Sequence, residues 1–357
     1  MTRADDGDAG AAPTAELDTI RVYPVKSLDG VAVDAARIGP DGGLVPDRTV
    51  ALVDADGDYV NGKREPALHR IVADYDTAAG TVTLSVGERA DATGDPDASA
   101  DPDATGDPDA TGGSDASAEE SGSAAGTVPE PATFAVPGFD DGSGDATTPA
   151  DATTPADATT PADASTADDT TVDGGPDELA AWVGEYLGYT VEAAVTEPSY
   201  PDDTTASGPT VVSRATLATV AAWFDLTPGE VLRRFRANLV VASGGDEPLP
   251  AFWEDRLYDD RSTFVSVAVG DTTLYGEGPC RRCVVPTRDP DTGAETPEFR
   301  ERFVERRRET LPAWSEGPRF DGAFRLALNT VVPAETTGDR LAVGDRVAVT
   351  GTVPAEE

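Results

Sequence analysis

The chain has 357 residues, a length for two or three domains, and carries 67 acidic against 27 basic side chains for a formal charge of −40. Only two of the basic residues are lysines, Lys26 and Lys63. Acid excess on this scale is a lever that halophilic proteins use, so the expected setting is the cytoplasm of a salt-loving microbe. The charge leaves no basic stripe for nucleic acid, and no apolar run is long enough to suggest a membrane segment.

The first 17 residues are acidic, lack the apolar core of a secretory signal, and are expected to be disordered. Strands are expected at 19–27 (TIRVYPVKS), 49–60 (TVALVDADGDYV, broken by an Asp-Gly turn) and 81–86 (TVTLSV). His69, the one histidine, falls beside an apolar turn in REPALHRI and reads as structural or surface. From Ala90 to Ser213 there is no Lys or Arg. DATGDPDA occurs at 91–98 and 103–110, and TTPADA repeats in tandem from 147 to 164. Segments this poor in large apolar residues cannot offset the entropy of ordering. They are expected to be disordered acidic insertions, at about 90–125 and 140–171, within a β-domain that has one short strand between them in 126–139.

Beyond them the chain turns helical. In PDELAAWVGEYLG (176–188), Leu179, Trp182, Val183, Tyr186 and Leu187 share one face, with Pro176 early and Gly188 at the end. A second helix is expected from Ser213 to about Phe224, and the capping box TPGE at 227–230 opens a third. Then come a strand at 238–243, a hairpin at 263–276, a charged helix at about 297–311, and last strands turning at Gly344 and Asp345.

The hairpin leads into GPCRRCVVPTRDPDTG, which holds both cysteines, Cys280 and Cys283. Zinc or an iron–sulfur cluster needs about four ligands, more than two cysteines and one histidine supply. A redox dithiol belongs at a helix N-terminus, whereas a pair of valines and a turn follow here. That leaves a soft thiolate whose pKa Arg281 and Arg282 would lower while gripping an anion. A surface loop with inert thiols stays open on spacing alone.

YPVKS (23–27), PDR (46–48), FRANLVV (235–241), FWEDRL (252–257), CRRCVVPTRDPDTG and LAVGDRV (341–347) occur in an order that resembles the MOSC superfamily. The likeness is to the subgroup with an N-terminal MOSC β-barrel domain, which includes the mitochondrial amidoxime-reducing component and its bacterial relatives. It implies a β-rich α+β fold, with an N-terminal β-barrel domain over about 18–198 and a MOSC domain over 199–353. It also implies a molybdopterin-type molybdenum cofactor with Cys283 as the protein ligand to the metal, a soft donor suited to an oxo-metal. Cys280 has no metal role in that pattern.

By the same resemblance, Lys26, Ser27, Arg48 and Arg236 contact the cofactor's phosphate or pterin, Asn238 keeps its place in the motif, and Arg281 and Arg282 flank the ligand. FRAN stands where the family has F-R-P-N. DDTTASGP (202–209) stands where it has an Asp-containing turn, so Thr205 and Ser207 are the substitute hydroxyl donors. An aromatic that follows a late glycine turn in the family corresponds to Ala323 or Phe324. The implied activity is two-electron reduction of small N-hydroxylated substrates. With no further cysteines after the motif, electrons are expected from a separate flavin or iron–sulfur protein. The alternative is a molybdenum-cofactor or sulfur carrier without reductase turnover. Pyridoxal phosphate binding is attached to the family only in general terms.

Overall fold

The computed structural model describes residues 14–87, 126–139, 172–195, 206–258, 263–312, 315 and 322–354. The first 13 residues, both acidic tracts and Thr205 lie outside the described residues.

The N-terminal half forms strands β1 (Ala15–Val22), β2 (Val31–Val33), β3 (Ala35–Ile38), β4 (Leu44–Val45), β5 (Val50–Asp54), β6 (Ile71–Asp76), β7 (Thr81–Val86) and β8 (Ala132–Ala135). Helix α1 (Pro176–Leu187) and β9 (Val191–Val195) follow. The C-terminal half runs β10 (Val211–Ser213), α2 (Arg214–Phe224), α3 (Pro228–Phe235), β11 (Leu239–Ser243), β12 (Thr263–Val269), β13 (Thr272–Arg281), α4 (Phe299–Thr310), β14 (Arg325–Val331), β15 (Arg340–Ala342) and β16 (Arg346–Pro354). The helix ends obey the expected chemistry. Gly188 closes α1 in the left-handed conformation, Ser213 caps α2, and Thr227 and Glu230 form the capping box of α3.

Strands β11, β10, β14, β13, β12, β16 and β1 close into a seven-stranded barrel through the β1–β11 pairing. Closure removes the unpaired edges that a strand would otherwise present. Six of these strands come from the C-terminal half, and the first strand of the chain completes the barrel. Ala15 pairs with both Ser243 and Val347, so β1 is hydrogen-bonded on both sides. Residues 15–17, expected to be disordered, are therefore strand, with Ala15 and Leu17 each 1% exposed. In the same way, 23–27 is not a continuation of β1: the strand stops at Val22 and YPVKS makes a turn. The last two strands do not pair with each other across their turn, because β15 joins β3 and β16 joins β12 and β1.

One pairing in the barrel is parallel, β10 with β11, and α2 and α3 make the crossover between them. Parallel neighbours need such a connection. Here it places the C-terminal end of α3, with Arg233 and Arg234 in its last turn and Arg236 at its cap, at the mouth of β11. Phe235, Phe299, Phe303 and Phe324 form the aromatic centre of the core beneath these helices. The remaining N-terminal strands β5–β9 and β6–β7–β8 bury Leu179, Trp182, Val183 and Leu187 of α1 in a separate core.

Candidate functional site

Three of the expected site residues adopt a backbone conformation that L side chains avoid. Ser27 (φ 78°), Arg48 (φ 55°) and Arg236 (φ 55°) are three of seven such non-glycine residues among those described. Each costs on the order of 1 kcal/mol or more, and such strain gathers at functional sites. Local hydrogen bonds hold all three segments: Lys26 N–H donates to Val50 O (2.8 Å), Arg48 N–H to Tyr23 O (2.8 Å), and Arg236 N–H to Leu232 O (2.6 Å).

Tyr23 ties them together. Its ring, 1% exposed, has the Arg236 guanidinium 4.1 Å and the Arg48 guanidinium 5.4 Å from its centroid. Its hydroxyl donates to Ala237 O (3.2 Å), and its N–H donates to Asp47 Oδ1 (2.7 Å). The other oxygen of Asp47 pairs with Arg48. Burial raises the pKa of the Tyr23 hydroxyl while the nearby arginine charges act the other way, so it remains a neutral donor at pH 7. Arg236 also donates to Leu28 O (2.6 Å). Lys26 Nζ sits 5.1 Å from the centroid of Tyr59.

Strand β13 delivers the cysteines. Its pairing with β14 shifts register between Gly276 and Gly278 and again between Pro279 and Arg281, the kind of irregularity that re-aims side chains at a barrel rim. Cys280, still within the strand, is half-buried against the aromatic core, whereas Cys283 is past the strand end and exposed. A three-residue 3-10 turn (Val285–Thr287) follows, not a helix N-terminus of the dithiol kind. Arg282 fixes this end by donating to Leu326 O (3.0 and 2.7 Å) and Phe235 O (2.8 Å). In DPDTG, Asp289 Oδ1 accepts from the N–H groups of Asp291 and Thr292 and from the Thr292 hydroxyl. Burial opposes ionisation of Asp289, but these bonds and the Arg234 charge hold its carboxyl below the usual range.

These pieces surround a cavity of about 420 Å³. Every expected site residue lines it except Thr205, which lies outside the described residues. Three of them, Arg282, Ser207 and Asn238, are occupied by the scaffold. Ser207 Oγ donates to Asp41 O, and Asn238 links strands by donating to Arg21 O (3.1 Å) while accepting from Thr210 N–H and Oγ1. The lining also includes Lys63, Arg233, Arg234, Arg288 and His69, which motif reading did not assign to the site. Lys63 had a signal, as the second of the chain's only two lysines. Arg288 had one as well, since it lies inside CRRCVVPTRDPDTG; Arg233, Arg234 and His69 had none, since fold alone brings 63–69, α3 and the 288–293 turn together.

The cavity wall therefore carries nine Lys and Arg side chains against Asp29 and Asp47, in a chain of charge −40. Two like charges about 8 Å apart at an effective dielectric of ~20 repel by roughly 2 kcal/mol, so such a wall is stabilised by an anionic guest. Arg233, Arg234 and Arg288 each have a buried Nε–H without a hydrogen-bond partner. Among the described residues, no three His, Cys, Asp or Glu side chains assemble to hold a bare metal ion. The donor set fits a metal that arrives in an anionic ligand of its own and takes one thiolate from the protein.

Residues 14–126 match the MOSC N-terminal beta barrel domain and residues 207–348 match the MOSC domain. The chain belongs to the MOSC superfamily. MOSC domains are found in molybdenum-cofactor-binding proteins. No curated protein matches this chain. The cavity draws Lys26, Ser27, Arg48, Lys63 and His69 from the span of the first match, and Ser207, Arg236, Asn238 and Cys283 from the MOSC domain. Phe324, one of two candidates for the family's late aromatic, is in the aromatic core, and its carbonyl accepts from Arg282 N–H (3.0 Å). No helix among those described is long and apolar enough to cross a membrane.

Proposed function

We propose that this protein is a molybdenum-cofactor oxidoreductase that reduces small N-hydroxylated molecules to the corresponding amine or amidine and water, consuming two electrons and two protons. The electrons come from a separate flavin or iron–sulfur protein, and the setting is the cytoplasm. One observation carries the reading: an exposed thiol, Cys283, at a cavity lined by nine cations in a chain that is otherwise strongly acidic.

In this reading the cofactor supplies, when bound, a metal that accepts oxygen from the substrate. Cys283 is the protein's ligand to that metal, with Arg281 lining the same cavity. Lys26, Ser27, Arg48 and Arg236 hold the cofactor's phosphate and pterin, with Tyr23 keeping the two arginines oriented at no cost in added charge. Ser207 and Thr205 stand where the family has an Asp-containing turn that touches the cofactor. Arg282 and Asn238 act mainly by position: one pins the strand end that carries Cys283, the other pins the strand that follows Arg236.

The test is molybdenum and pterin content of protein from a cofactor-competent host. Stoichiometric molybdenum that is lost in Cys283→Ala and kept in Cys280→Ala is the expected result. Cofactor-loaded protein given a chemical reductant should consume hydroxylamine and amidoxime substrates; inertness toward both would refute the reductase assignment. Molybdenum-free protein carrying persulfide sulfur would establish the carrier alternative instead.

A further inference from the structure

His69, the chain's single histidine, is a half-buried group that the proposed chemistry leaves unused. It sits on the 3-10 turn Pro66–Arg70 and lines the cavity. Two glycines close around this turn. A Cβ on Gly62 would lie 2.7 Å from His69 Nε2, and a Cβ on Gly293, at φ +72°, would lie 2.2 Å from Pro66 O. The DPDTG turn is thereby pressed onto the element that carries the imidazole. Yet Nε2 is buried without a hydrogen-bond partner, a state that costs about 1–3 kcal/mol unless a ligand satisfies it.

The other orphaned nitrogens of the cavity belong to arginines that each donate through another nitrogen. Arg233 grips Asp291, Arg234 donates to the Pro286 and Arg288 carbonyls, and Arg288 donates to Gly293 O. On the same wall Asn61 is committed to its own turn, donating to Tyr59 O and accepting from the N–H groups of Lys63 and Arg64. Burial lowers the pKa of His69, with the Arg236 and Arg288 charges acting the same way against Asp29 and the adjoining Gly62 backbone. His69 thus brings a neutral imidazole to a wall of cations.

We propose that His69 is a ligand-binding residue whose Nε2 hydrogen-bonds the uncharged heterocyclic part of the guest, while the lysines and arginines hold its anionic part. The assignment rests on the cofactor reading above. Because the chain has one histidine, untagged protein labelled with ¹⁵N-histidine gives a single pair of ring-nitrogen signals. Comparison is between protein from a cofactor-competent host, protein from a cofactor-deficient host, and the latter with inorganic phosphate.

The expected result is an Nε2 signal displaced in the pterin-containing protein and unmoved by phosphate. His69→Ala should weaken pterin retention about tenfold, equivalent to about 1.4 kcal/mol or one ordinary hydrogen bond. His69→Gln should recover most of that loss. Bound pterin with unmoved His69 signals would overturn the inference and leave the cofactor reading intact. A displacement produced by phosphate alone would also overturn it. Protein that carries no pterin from the competent host would overturn both.

Discussion

Glu254, in the FWEDRL segment, predicts a pH dependence of stability that one substitution should abolish. Its side chain is buried (2% exposed) beneath α2. Oε2 accepts from Ser213 N–H (3.2 Å) and Thr216 Oγ1–H (3.0 Å), while Oε1 has no partner. Burial, and then the neighbouring Asp255 charge, pushes its pKa up to about 7. Asp255 itself is gripped by Arg307 through two contacts of 2.7 Å. The folded protein therefore holds a proton on Glu254 that the unfolded chain, with an ordinary pKa of 4.5, has released. Stability from this group is lost as pH rises through 4.5 to about 7 and stays lost above that window. At 1.36 kcal/mol per unit the loss is about 3 kcal/mol.

Glu254→Gln keeps an acceptor oxygen for Ser213 and Thr216 and cannot ionise. It should match the parent near pH 4.5 and exceed it by about 3 kcal/mol at pH 8. The assay is urea unfolding followed by tryptophan fluorescence, at both pH values and fixed salt. An advantage of equal size at both pH values would refute the argument. So would a Gln variant that is less stable at pH 8. The substitution reaches the site only through α2 and α3, so cofactor content at pH 7 should not change.

Arg236→Lys keeps the charge but loses the stacking on Tyr23 and the planar fork that reaches Leu28 O, so pterin retention after dialysis should fall about tenfold. Gly293→Ala places a methyl 2.2 Å from Pro66 O at a positive φ, and should cost roughly 2 kcal/mol or more in urea unfolding while separating the DPDTG turn from His69. Deleting 91–124 and 143–170 should leave molybdenum content unchanged, measured by metal analysis; a loss would show that the acidic tracts fold onto or shield the site.

Much was legible locally. The helices of 176–224 follow from apolar spacing and end residues, and the capping box at Thr227 and Glu230 forms as its side chains dictate. The hairpin at 263–276 is also present, though β13 continues to Arg281. Pattern reading found the residues that carry charge or sulfur within short motifs: Lys26, Ser27, Arg48, Arg236 and Cys283 all line one cavity. It did not find β14, whose nearly continuous burial leaves no alternation to read.

Sequence alone determined the local elements, the acid excess, the scarcity of lysine and the ligand arithmetic that excluded zinc and iron–sulfur chemistry. Those depend on composition and on neighbours along the chain. Only the tertiary structure decided that β1 closes a barrel made of distant strands, that Arg282 and Asn238 are spent on the backbone, and that His69 lines the cavity. Each of those facts is set by contacts between segments far apart in sequence, where no periodicity or spacing records the partner.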